Sequence, residues 1–133
     1  MSSTVSTIAD PRVAAFWEDR LHVECGPAGR IALLSLAGDI DGLTLPLLCT
    51  ALVTALERRP AHLVVDLPDI RFCGVRGFAL LAAMARVSAA HGIGYAVTGV
   101  GAHLARAARR IWVDQHLACY PDVAAAIAAI GDR

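Results

Sequence analysis

Apolar and polar positions fall into blocks along this chain, and each block has the period of one kind of element. Leu63–Leu67 (LVVDL) is a near-continuous branched apolar run, which predicts a strand buried on both faces. Pro68 is expected to end it, because proline cannot continue a sheet interior. A short loop, DIRFCGVRG, then leads into FALLAAMARVSAA, where Phe78, Leu81, Met84 or Ala85, and Val87 or Ser88 recur at helical spacing. Upstream, Leu21–Cys25 alternates weakly, GPAGR is a turn, and Ile31–Ala37 (IALLSLA) predicts a second strand returning as a hairpin. Gly38-Asp39-Ile40-Asp41-Gly42 ends that strand. An amphipathic helix from about Thr44 to Arg59 follows, with Leu45, Leu48, Leu52, Val53 and Leu56 as its buried stripe.

Beyond the central helix, His91-Gly92 is a helix stop and Tyr95–Val100 predicts another buried strand. Gly99-Val100-Gly101 opens a helix over Ala102–Arg110. Trp112, Val113 and Leu117–Tyr120 read as an irregular short strand, and Pro121-Asp122 starts a last helix with Val123, Ile127 and Ile130 facing in. At the other end, residues 1–20 read as an extension. Its first nine residues are small, polar and expected to be disordered, and a short helix is expected from Asp10-Pro11 through Val13, Phe16, Trp17 and Arg20. The order β-β-α-β-α-β-α-(β)-α predicts one α/β domain over residues 21–133, a four- to five-stranded mixed sheet packed with about four helices.

Composition narrows the function classes. The 133 residues are 56% hydrophobic, enough for a real core, and the net charge is zero. All twelve basic residues are arginine, which reads as compositional bias. A neutral chain has no electrostatic footprint for nucleic acid, no apolar run approaches the roughly 18 residues of a membrane span, and the N-terminus lacks the pattern of a secretory signal. Cys25, Cys49, Cys73 and Cys119 form no CxxC pair and read as reduced cysteines of a cytoplasmic protein.

Candidate chemistry is sparse. The GxG of Gly99 and Gly101 has Leu104 where a third glycine belongs, so no cofactor is expected. His22, His62, His91, His103 and His116 have no ligand spacing, and Asp39 and Asp41 lack a third partner, so no metal is expected. Cys73 is followed six residues on by Ala79 rather than the arginine of a phosphate cradle, and it reads as a buried, inert thiol. No enzyme is predicted.

The element order, with GDID after the second strand and VVDLPDIRFCGVRG at the third, resembles the STAS domain, from about Leu21 to Ile130. That family includes bacterial anti-sigma factor antagonists and the cytoplasmic tails of sulfate transporters. Its members usually read Asp-Ser-Ser-Gly or Asp-Ser-Thr-Gly before the second helix. In the antagonists an anti-sigma factor that is also a kinase phosphorylates one of those serines. Here the same positions read Gly74-Val75-Arg76-Gly77, so the glycine that shapes the loop is present and both hydroxyls are gone.

The resemblance therefore implies a non-catalytic interaction module that regulates transcription by binding an anti-sigma factor or a related kinase-fold protein, without a phosphorylation site in the loop. Asp39, Asp41, Arg71, Gly74, Val75, Arg76, Gly77 and Phe78 are the expected contact residues. The alternative is a STAS-type scaffold subunit, acting as a homodimer or within a sensory or transport complex. Arg76 stands out physically: a fixed cation near a helix N-terminus opposes the helix dipole, typically by 0.3–1 kcal/mol. It either meets an acidic group on a partner or a bound anion, or reaches to Asp69 or solvent.

Overall fold

The LVVDL run lies in the middle of the sheet, as its composition requires. Leu63, Val64 and Val65 are fully buried, with neighbours on both faces. The structure, a computed structural model, describes residues 4–7, 14–17, 20–28, 30–112 and 117–130. Its strands are β1 (Thr4–Thr7), β2 (Ala14–Trp17), β3 (Leu21–Ala28), β4 (Ile31–Ile40), β5 (His62–Cys73), β6 (Gly94–Thr98) and β7 (Ala118–Tyr120). Its helices are α1 (Leu45–Glu57), α2 (Val75–Ala90), α3 (Ala102–Trp112) and α4 (Val123–Ile130).

The strands lie side by side in chain order. β1 to β4 pair antiparallel, and β4 to β7 pair parallel through helical crossovers. From Leu21 onward this is the expected five-stranded mixed α/β sheet with four helices. β1 and β2 extend it at the β3 edge, so Ala14–Trp17 is strand rather than the helix expected there. The predicted helix start at Asp10-Pro11 and the predicted strand residue Val113 lie outside the described residues.

One face of the sheet carries the main core. Leu34, Leu36, Leu63, Val65, Leu67 and Val97 meet residues of α1, α2 and α3 there, including Leu48, Leu52, Phe78, Leu81 and Trp112. On the other face a smaller cluster joins Ile31 and Val64 to Ala126 and Ile130 of α4.

Several expectations need correction. β5 does not stop at Pro68 but runs on to Cys73. The rule against proline applies to a strand bonded on both sides. β6 pairs with β5 only as far as Asp66, and the β4 register shifts between Ser35 and Ala37, so Pro68 sits on a bulged stretch with one ladder neighbour. Trp112 closes α3 instead of joining a strand, and its ring packs edge-on against Phe78 at 5.4 Å between centroids. In α1 the buried positions are Leu48, Ala51, Leu52 and Ala55, and Val53 is exposed. In α4 Ala126 takes the inward place expected of Ile127.

Candidate functional site

The carboxyl ends of β4 and β5 and the first turns of α1 and α2 form one pole of the molecule. Asp39 pairs with Phe72 and Ile40 with Cys73 in the β4–β5 ladder, and the Gly74 N–H donates to the Ile40 carbonyl at 2.9 Å. The loops after the two strands are thereby tied together. Gly74 is the N-cap of α2, with extended backbone and no side chain to cap with. Its carbonyl accepts from the N–H groups of Gly77 and Phe78 at 3.0 and 3.2 Å.

Gly77 is fixed by packing. A Cβ there would lie 2.6 Å from Ile40 Cγ2 and 2.8 Å from Cys73 Sγ. Any larger residue here would push Ile40 or Cys73 aside to let the chain turn from β5 into α2. Cys73 is buried beneath the turn, and burial pushes its thiol up to about 12, so it is protonated at physiological pH.

The β4–α1 turn is closed by reciprocal bonds. Asp41 Oδ1 accepts the N–H groups of Leu43 and Thr44 at 2.9 and 3.1 Å, while Thr44 Oγ1 accepts the Asp41 N–H at 2.9 Å. Desolvation works to raise the Asp41 pKa. The Thr44 and Leu43 N–H groups and the Arg20 guanidinium outweigh it and hold the carboxyl below its ordinary value. Arg20 pairs with Asp41 and, at 3.8 Å, with Asp39, and Asp39 pairs in turn with Arg71 at 3.5 Å. The two aspartates are thus neutralised by arginines from β5 and from the residue before β3. Gly38, at φ +115°, turns the chain where its Cβ would meet the Arg20 carbonyl, and the Asp39 N–H donates to that carbonyl at 2.7 Å.

Of the expected contact residues, Asp39, Asp41, Arg71, Gly74, Val75 and Arg76 come together at this pole. Gly77 and Phe78 do not face solvent: both are buried, and Phe78 is a core residue that accepts the Trp112 indole N–H at its carbonyl, 2.8 Å away. They shape the pole rather than present it. Arg76 is exposed and has no ion pair with any described carboxylate, Asp69 included.

Two residues of the pole were not foreseen from the sequence. Leu43 is 74% exposed and Phe72 52% exposed, and with Val75 at 70% they put large apolar side chains in water at one end of the fold. Leu43 follows a DG turn. Phe72 sits beyond the β4–β5 register shift between Gly38 and Asp39, where simple alternation no longer gives its facing. Among the described residues no group of three His, Cys, Asp or Glu side chains is placed to hold a metal ion, and no helix is long and apolar enough to cross a membrane.

Comparison with known proteins decides the family. Residues 27–119 match the family described as Mlab, STAS domain. The chain belongs to the STAS domain family. A crystal structure of an anti-sigma factor antagonist from Mycobacterium paratuberculosis is similar over 86% of this chain and 97% of its own, with 26% identity and a TM-score of 0.78. The anti-sigma factor antagonist SpoIIAA in its unphosphorylated form matches over 82% of this chain and 96% of its own, at 13% identity and a TM-score of 0.63. A chain from the stressosome, a signal integration and transduction hub, covers 81% and 96% at 11% identity and a TM-score of 0.62. The last two likenesses are of fold alone. A search of curated proteins gave no match.

Proposed function

We propose that this STAS domain is a non-catalytic interaction module of the anti-sigma factor antagonist kind. It binds an anti-sigma factor or a related kinase-fold protein in the cytoplasm, and its binding is not gated by phosphorylation of the β5–α2 loop. The observation that carries this reading is the pole itself. Leu43, Phe72 and Val75 are exposed beside Arg76, a cation without a carboxylate partner among the described residues, at the turn where the family places its hydroxyl switch. Exposed apolar residues rimmed by charge fit a protein partner better than a substrate. Valine and arginine cannot accept a phosphoryl group. The similarity to the mycobacterial antagonist supports the choice of partner class.

The test is capture of a kinase-fold protein from the native cell extract by the wild-type chain, repeated with Phe72→Ser and Val75→Asp. Both positions are exposed, so the fold should survive, and both variants should lose the partner. Retention of the partner by both would remove the pole from the interface.

A second reading, a scaffold subunit acting as a homodimer, is favoured by one feature. β1 stands at the end of the sheet with no strand described on its outer side, and a second copy can continue the ladder there. Light scattering of the purified protein separates the two readings: a monomer that still captures the partner sets the scaffold aside.

A further inference from the structure

The chain is neutral as a whole, but its charges are segregated. Between Asp69 and Asp114 there is no carboxylate, whereas Arg71, Arg76, Arg86, Arg106, Arg109 and Arg110 all fall in that interval. The interval contains α2 and α3 in full. On α3, Leu104, Ala108 and Trp112 face the core, and the opposite side carries His103, Arg106 and Arg110, three and four residues apart and all exposed. Arg106, Arg109 and Arg110 have no ion pair with a described carboxylate. The helix dipole accounts for Arg109 and Arg110 in the last turn but gives Arg106 no role.

The hydrogen bond from the Trp112 indole to the Phe78 carbonyl, with the edge-on ring contact, holds the end of α3 against the first turn of α2, the turn that begins at Val75 and Arg76. A partner seated on the pole needs about 800 Å² of this protein's surface for a standard interface, more than three apolar side chains supply. Resting on the reading of the pole as a protein-docking site, we infer that the interface continues over α3, and that the partner presents an acidic surface there which pairs with Arg106 and Arg110.

Two other polyanions are less well suited. A membrane-lying helix buries a large apolar face in the lipid, and the apolar face of α3 is already packed inside. Single-stranded nucleic acid stacks its bases on aromatic platforms, and the outer stripe of α3 contains no Phe, Tyr or Trp. Carboxylates on a protein surface suit arginine, whose planar fork pairs with them in bidentate fashion.

The experiment uses a fluorescein-labelled helical peptide with glutamates three and four residues apart, a single-stranded RNA of equal charge, and phosphatidylglycerol vesicles as separate probes. The peptide should bind the wild-type chain most tightly and shift amide resonances of His103, Arg106 and Arg110. The double variant Arg106→Glu/Arg110→Glu should bind it roughly ten-fold or more weakly, while Arg30→Glu, an exposed position at the other end of β4, should bind it unchanged. Tighter binding of RNA or vesicles, peptide shifts located away from α3, or an undiminished double variant would each overturn the inference. If peptide binding behaves as expected while Phe72→Ser still captures the partner, the reading of the pole alone fails.

Discussion

A methyl group added at position 77 has nowhere to go, since it would fall within 2.8 Å of both Ile40 Cγ2 and Cys73 Sγ. Gly77→Ala gains helix propensity of roughly 1 kcal/mol but overpacks the turn, which typically costs 1–3 kcal/mol. The expected net is a small loss of stability, seen as a lower urea midpoint. Adding Cys73→Ala should relieve part of it, because the two residues touch. Cys73 itself should be unreactive towards a thiol reagent at pH 8, where its raised pKa keeps it protonated, while the exposed Cys119 reacts first. Equal labelling rates would contradict the burial of Cys73. Asp41 gives the acid limb of stability. Its carboxyl is held below its ordinary value, so the stabilisation is fully present above the ordinary carboxylate pKa of about 4 and is lost as pH falls through the lower folded value. Asp41→Asn should therefore lower the urea midpoint at pH 7 and converge on wild type in acid. At this scale the sequence was readable where one residue type had one use. Gly77 and Cys73 were legible because a turn demanded the one and a core the other. Leu43 and Phe72 were not: a single apolar residue in a turn is equally at home inside or out, and a register shift decides the facing of Phe72.

At the scale of elements, periodicity located every helix of the domain and failed where the surroundings overrode it. Proline is expected to end a strand, yet β5 passes through Pro68 because β6 has already ended and the stretch is bulged. Side-chain size points to Val53 for the α1 stripe, but Ala51 and Ala55 are buried and Val53 is not. The inward face is set by helical angle, and alanine satisfies it as well as leucine does. The consequence is measurable: Leu52→Ala should cost about 2–5 kcal/mol in urea denaturation, whereas Val53→Ala should cost well under 1 kcal/mol. Similar losses for both would mean that the register of α1 is wrong. Aromatic and β-branched neighbours favour a strand at Trp112, while its bond to the Phe78 carbonyl and its ring contact hold it in α3.

At the scale of the whole molecule, a sheet in chain order places the loops after β4 and β5 side by side, so residues about thirty positions apart form one surface. The family was legible because its motifs keep their order and spacing. The surface was only partly legible, because it depends on which side chains the bulges turn outward. The central claim is that this surface holds a protein partner through apolar contacts and Arg76, with no phosphoryl switch. The most direct test is the calorimetric affinity of the captured kinase-fold partner for wild type, Arg76→Ala and Arg76→Glu, each before and after incubation with ATP. Removing a rim charge typically costs under about 1 kcal/mol, and opposing like charges can cost several. The account predicts a small loss for Arg76→Ala, a much larger one for Arg76→Glu, and no effect of ATP on wild type. Equal affinities for all three proteins, or an affinity lost on incubation with ATP together with a phosphate between Asp69 and Phe78, would contradict it.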